Sequence, residues 1–280
     1  MIVVIAGPTG VGKSKIAIEL AKKLDAEIIS ADAFQVYKYM NIGTAKVIED
    51  ETENIKHHMI DVYDVDSNID VKKYQEDARK ILNSLLLKNK NIIICGGTGL
   101  YIKALLYDYK FQEETLNNKY DNMSLEELQK LLPKDSLVDK NNKRRVVRFL
   151  EKIDNGIKSE KSNKLYDFHM IGLTKDREEI YNKINLRVDE MIKEGLIDEV
   201  KNLYSKYKNA RSINSAIGYK EIILYLNNEI SLEEAIEKIK LNTRRYAKRQ
   251  YTFFNNQFDI TWIKKDDKTL ENILELLKMW

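Results

Sequence analysis

Residues 2–14 read IVVIAGPTGVGKS, an apolar run followed by a glycine-rich octapeptide. The octapeptide Gly7, Pro8, Thr9, Gly10, Val11, Gly12, Lys13 and Ser14 has the spacing G-x-x-x-x-G-K-[ST], which turns the chain from a strand into a helix. On average residue usage such a match arises by chance about 0.01 times in a chain of this length. The flanks agree with it. β-Branched residues precede the loop, and KSKIAIELAKKL follows with Ile16, Leu20 and Leu24 at helical spacing. Loop amides and the positive helix end then face a phosphate. Lys13 adds a point charge, and Ser14 adds a hydroxyl suited to Mg²⁺.

Outward from this loop, β-rich runs recur at Glu27–Ala31, Asn91–Cys95, Asp167–Leu173 and Asp259–Ile263, with helical patterns between them. Strands alternating with helices predict an α/β fold, a P-loop NTPase-like parallel sheet flanked by helices. Residues 1–110 read as the P-loop catalytic core. Residues 111–142 are polar and asparagine-rich. They carry one short helix, SLEELQKLL, capped by Ser124 with Glu127 three residues on, and read as a small inserted module. Residues 143–280 complete the core; they are almost wholly helical from Arg177 to Phe254 and have a last strand near 259–263.

The chain has 280 residues and is 43% hydrophobic, enough to bury a sizeable core, and its 32% of charged residues leave a net charge of only +3. Cys95 is the single cysteine, which excludes a disulfide framework and a cysteine-based zinc finger. No apolar run approaches the roughly 20 residues that span a bilayer, and the first residues do not form a signal peptide. The expectation is a cytoplasmic protein with no membrane partner and no obligate protein partner.

A phosphate loop ordinarily serves nucleotide hydrolysis, which also needs an acid at a strand end to hold magnesium. Here the strand NIIIC runs instead into Gly96-Gly97-Thr98-Gly99, without a carboxylate. Asp32, at the end of EIISADAFQ, is the nearest acid. Ligands sit outside the carboxyl ends of parallel strands, so Asp32, Thr98 and the phosphate loop should converge. By itself, Asp32 serves a helix cap as readily as chemistry.

LEEAIEKIKLNTRRYAKRQYTFF predicts a helix from Leu232 to about Tyr251 with Lys240, Arg244, Arg245, Lys248 and Arg249 on its polar side. No acid occurs between Ile239 and Phe258. Like charges at i,i+4 cost about 0.2–0.5 kcal/mol per pair, so a run this pure points to an external polyanion. KNNKRRVVRFLEK places Arg144, Arg145 and Arg148 in a second cluster. Two basic clusters interleaved with aromatics are the footprint of nucleic acid. The alternatives are a small-molecule kinase sharing the cradle and a non-enzymatic RNA-binding switch. His57 and His58 read as structural, since adjacent histidines do not converge on an ion.

The residues together resemble bacterial tRNA dimethylallyltransferases, the isopentenyl-tRNA transferase family. The resemblance rests on GPTGVGKS, SADAFQVYKYMNIGTAKV, HHMIDV, GGTGLYIKALLY, RRVVRFLE, LRVDEMIKEGLIDEV, AIGYKE and TRRYAKRQYTFF, in the family's order and over most of the chain. It implies transfer of a dimethylallyl group from dimethylallyl diphosphate to N6 of adenosine-37 beside the tRNA anticodon, with Mg²⁺ and no nucleotide hydrolysis. By the same resemblance Asp32 is the general base and Thr98 lies beside the reacting centre. The residues from Gly7 to Ser14 and Arg187 hold the diphosphate, with Ser14 on Mg²⁺. Asp32, Ala33, Phe34, Gln35, Thr98, Arg144, Arg145, Val146, Val147, Arg148, Lys248, Arg249 and Gln250 contact the anticodon stem-loop. Ala33 stands where members often carry serine, Phe253 where tryptophan is frequent, and the insert is shorter than the family's.

Overall fold

The chain's computed structural model describes residues 1–47, 52–109, 111, 118–133, 136, 138–155 and 163–279. They divide into two compact units: residues 1–107 with 164–280, and Asp108–Asn163.

The larger unit opens with β1 (Ile2–Ala6), the phosphate loop and α1 (Lys13–Leu24). β2 (Ala26–Ser30), β3 (His57–His58), α2 (Val71–Leu87), β4 (Asn91–Gly96) and α3 (Gly99–Leu106) follow. The smaller unit contributes α4 (Leu125–Lys130) and α5 (Lys143–Asp154). The chain then resumes with β5 (His169–Thr174), α6 (Arg177–Glu194), α7 (Leu196–Lys206), α8 (Arg211–Ser215), α9 (Tyr219–Leu226), α10 (Leu232–Gln257), β6 (Thr261–Lys264) and α11 (Thr269–Met279).

The six strands form one sheet in the order β3-β2-β4-β1-β5-β6, and every pairing is parallel. Alternation along β1 explains why both faces need helices. Ile2, Val4 and Ala6 join a core with α2, α3 and α10, whereas Val3 and Ile5 join a second core with α1 and α11. The parallel α/β architecture read from the sequence is the one observed. β3 is an addition to that reading: a two-residue edge strand that pairs Ile28 with His57 and Ile29 with His58. Its histidines are tied locally, His57 Nδ1 to the Ile55 carbonyl at 2.8 Å and His58 Nε2 to Glu27 at 2.6 Å.

The smaller unit departs from the expected boundaries of 111–142. α5 belongs to it, because Val146 and Leu150 pack with Tyr120 and Leu128 in a separate apolar cluster. Ser124 and Glu127 form the expected capping box on α4: the Glu127 N–H donates to Ser124 Oγ at 3.2 Å, and the Ser124 N–H donates to Glu127 Oε2 at 2.7 Å.

Candidate active site

β1, β4 and β2 are neighbours in the sheet, and the loops at their carboxyl ends meet. The Ala33 N–H donates to the Thr98 hydroxyl and the Thr98 N–H donates to the Ala31 carbonyl, both at 3.1 Å. The phosphate loop is joined to the Gly96-Gly97 turn by Gln250 of α10. Its Oε1 accepts from the Thr9 N–H and its Nε2 donates to the Gly97 carbonyl, both at 2.9 Å. A Cβ on Gly97 would meet the Gln250 amide nitrogen, so any larger residue there would displace the amide from these two bonds.

Within the cradle the Lys13 ammonium donates to the Pro8 carbonyl at 3.0 Å. Burial holds its pKa below the usual lysine range; Cys95 and Asp32 oppose this and Arg187 adds to it. Lys13 therefore stands among Cys95, Asp32 and Arg187 as a half-buried cation without a carboxylate bonded to it among the described residues. Burial pushes the Cys95 thiol up to about 11, which keeps it a neutral wall of the site. Ser14 is exposed in the first turn of α1.

Asp32 uses one oxygen structurally. Its Oδ1 accepts from the N–H groups of Phe34 at 2.9 Å and Gln35 at 3.2 Å, an Asx-type turn that caps the loop. Oδ2 has no hydrogen-bond partner among the described residues. The carboxylate is thus oriented by its cap while its second oxygen stays available. The cap and the chemistry, which compete in the sequence, are compatible in the fold. Tyr246 lies close by: burial pushes its phenol up to about 12, Asp32 adds to the shift, and hydrogen bonds with Thr98 and Gln250 act against it.

A further wall is the stretch from Asn41 to Lys46. Gln35 Nε2 donates to the Thr44 and Ala45 carbonyls at 3.2 Å each, and Arg187 Nη2 to the Ala45 carbonyl at 3.4 Å. Glu199 of α7 holds the same stretch. Its Oε2 accepts from the N–H groups of Asn41 at 3.0 Å and Ile42 at 2.8 Å; its Oε1 accepts from Gly43 at 3.1 Å and the Tyr219 hydroxyl at 2.5 Å. Lys46 closes the turn, bonded to Asp61 at 2.5 Å, the Tyr37 carbonyl at 2.7 Å and Asn41 Oδ1 at 2.9 Å. Glu199 and Tyr219 are not among the residues expected at the site, and Lys46, in the stretch Ile42–Lys46 that the resemblance sets near the site, has no expected role. Their only sequence signal is membership in NIGTAK, GLIDEV and AIGYKE, which name no chemistry.

Several expected RNA contacts are placed elsewhere. Gln250 is only 6% exposed and both ends of its amide are occupied, so it braces the site. Val146 is fully buried in the smaller unit and Val147 packs beside it, because α5 needs one apolar face. On α10, Lys240 is bound to Asp189 at 2.8 Å and Glu237 at 3.3 Å, and Arg244 donates to Asn185 at 2.6 Å. Arg245, Lys248 and Arg249 remain exposed, with Arg249 lying 5.7 Å from the Tyr246 ring centre. Arg144, Arg145 and Arg148 are exposed on α5, Arg145 standing 3.5 Å from Asp139.

The model of the family described as IPP transferase matches residues 35–257 of this chain. The chain belongs to the IPP transferase family. It is 44% identical over 287 residues to a tRNA dimethylallyltransferase of Bacillus mycoides, covering 95% of this chain and 90% of that one. Among solved structures it resembles the full-length tRNA isopentenylpyrophosphate transferase of Bacillus halodurans, with TM-score 0.80, 37% identity, and coverage of 99% of this chain and 95% of that chain. A eukaryotic dimethylallyltransferase described as acting on tRNA matches with TM-score 0.81 and 27% identity over 98% of this chain and 77% of that one. The IPP transferase match begins at Gln35, and the solved structures extend the likeness over the phosphate loop and Asp32.

Proposed function

We propose that this chain transfers a dimethylallyl group from dimethylallyl diphosphate to N6 of adenosine-37 of a tRNA, releasing diphosphate. The observation that supports this most is the meeting of the phosphate cradle with a capped carboxylate. Lys13 and the loop amides take the diphosphate while Asp32 Oδ2 is free to accept a proton. The adenine N6 attacks the first carbon of the dimethylallyl group, and the bond from that carbon to diphosphate oxygen breaks with its electron pair on oxygen. Asp32 receives the N6 proton, which an exocyclic amine must shed to become an effective nucleophile. Lys13 and Arg187 face the charge that builds on the leaving group, where fixed cations lower the barrier most.

Mg²⁺ belongs to the same proposal. Among the described residues no group of three or more His, Cys, Asp or Glu is placed to hold an ion. Ser14 offers one exposed oxygen at the cradle. Those residues fit an ion held chiefly by diphosphate oxygens and water, the usual manner of Mg²⁺ with phosphates. When bound it neutralises charge on the departing diphosphate.

The RNA is taken up by basic faces on both units. Lys248 and Arg249 serve on α10, and Arg144, Arg145 and Arg148 on α5. A target base in a loop is cheap to unstack, which suits a site that must surround the base. No helix among the described residues is long and apolar enough to cross a membrane. The test is incubation with unmodified tRNA, Mg²⁺ and either dimethylallyl diphosphate or ATP, followed by mass spectrometry of the nucleosides. Prenylated adenosine with the first donor alone supports the proposal. Phosphorylated product with ATP, or no prenylation, refutes it.

A further inference from the structure

Asp32 and Lys265 approach the phosphate loop from opposite sides of β1, one after β2 and the other after β6. Lys265 is positioned by the sheet. Thr174 and Lys264 are register partners, and the next N–H, that of Lys265, donates to the Thr174 carbonyl at 2.8 Å. Its side chain then runs to the phosphate loop. A Cβ built on Gly12 would lie 2.7 Å from Lys265 Nζ and 3.4 Å from Cε, and Gly12 has φ +88°. The positive φ favours glycine there, and the absent side chain leaves room for the ammonium beside the loop.

The setting of that ammonium is unusual. Lys265 is half-buried and has no ion pair with a carboxylate among the described residues. Burial lowers its pKa first, then Lys183, Lys175 and Lys15 add to the effect, and Glu19 opposes it. Lys175 is matched by Glu179 at 2.9 Å and Lys15 approaches Glu19 at 4.0 Å. Lys183 has no such partner among the described residues. Cations gathered beside the amides of a phosphate-loop motif favour an incoming anion, and the cluster raises the local concentration of one.

We propose that Lys265 is a second cation of the phosphate cradle that receives the donor's diphosphate from the β6 side. This rests on the reading of the cradle as a diphosphate site. Lys265 would bind and position the donor, so its loss should fall on the KM for donor and leave the KM for tRNA unmoved.

Calorimetric titration of the full chain with sodium pyrophosphate tests it, using the parent, Lys13→Ala, Lys265→Met and Lys265→Arg. At about 0.1 M ionic strength Lys265→Met should bind roughly tenfold more weakly than the parent, the scale of one charge-assisted hydrogen bond. Near 1 M the gap should narrow, because the screening length falls from about 10 Å to about 3 Å. Lys265→Arg keeps the charge and should stay close to the parent, which a purely steric role for the lysine would not produce. Lys265→Met binding as tightly as the parent at low salt, while Lys13→Ala abolishes binding, overturns the role of Lys265 and leaves the cradle intact. A parent that does not bind pyrophosphate at all overturns both.

Discussion

Glu199→Gln is the perturbation that best separates a wall held by charge from one held by packing. Each carboxylate oxygen serves two donors: Oε2 the N–H groups of Asn41 and Ile42, Oε1 that of Gly43 and the Tyr219 hydroxyl. Glutamine keeps one oxygen for one pair. Its NH₂ can still meet the Tyr219 hydroxyl, which can turn and accept, so the Gly43 N–H is the donor that loses its acceptor. Hydrogen bonds to a charged group contribute about 1.5–3 kcal/mol each, and replacing charge with a neutral oxygen roughly halves those that remain. Glu199 is half-buried, so water offsets part of the loss and about 2–3 kcal/mol of destabilisation is expected. Urea unfolding measures it, with the slope of free energy against denaturant as a check that the folded state is otherwise unchanged. A cycle with Tyr219→Phe should show coupling of about 1 kcal/mol, since the two side chains share a bond. The variant should also raise the KM for donor, because Ala45 of the same stretch accepts from Arg187. Stability within about 0.5 kcal/mol of the parent, with additive effects in the cycle, would mean that packing and not charge holds this wall.

Two further substitutions probe the site from its other sides. Gln250→Leu removes both bonds that join the phosphate loop to the Gly97 turn and leaves a buried carbonyl unpaired. It should cost about 2–4 kcal/mol by unfolding and weaken pyrophosphate binding, while weakened tRNA binding alone would return Gln250 to the RNA surface. Lys248→Ala with Arg249→Ala should weaken binding of every tRNA and lower the slope of log K against log salt by about 0.7–0.9 for each phosphate no longer neutralised. An unchanged slope, read by filter binding across a salt series, would make that face of α10 merely solvated.

What the sequence makes legible here is what is local in the chain. The phosphate loop, the Asp32 turn and the Gly96–Gly99 turn each carry their chemistry within a few residues, and the alternation of strands and helices orders the sheet. The rest depends on partners far apart in sequence. Glu199 meets residues 156 to 158 positions away, and Gln250 meets Thr9 across 241 positions. No spacing announces such pairings. Val146 misleads for a different reason: it lies between arginines, and only the helical face it shares with Leu150 buries it. Lys240 reads as part of a pure basic run until α6 brings Asp189 to it. The two-residue strand at His57 is too short for any periodicity.

If Asp32 takes the N6 proton while the cradle holds the leaving diphosphate, the chemical step should depend on its carboxylate and on little else about the side chain. Asp32→Asn keeps an Oδ1 acceptor for the Phe34 and Gln35 N–H groups, so the loop's cap survives and only the proton acceptor is removed. Single-turnover prenylation, with donor and tRNA both saturating, measures the chemical step alone. The expected rate is lower by about 10²–10⁴-fold, with both substrates still bound as in the parent. A rate within a few-fold of the parent would remove Asp32 from the mechanism.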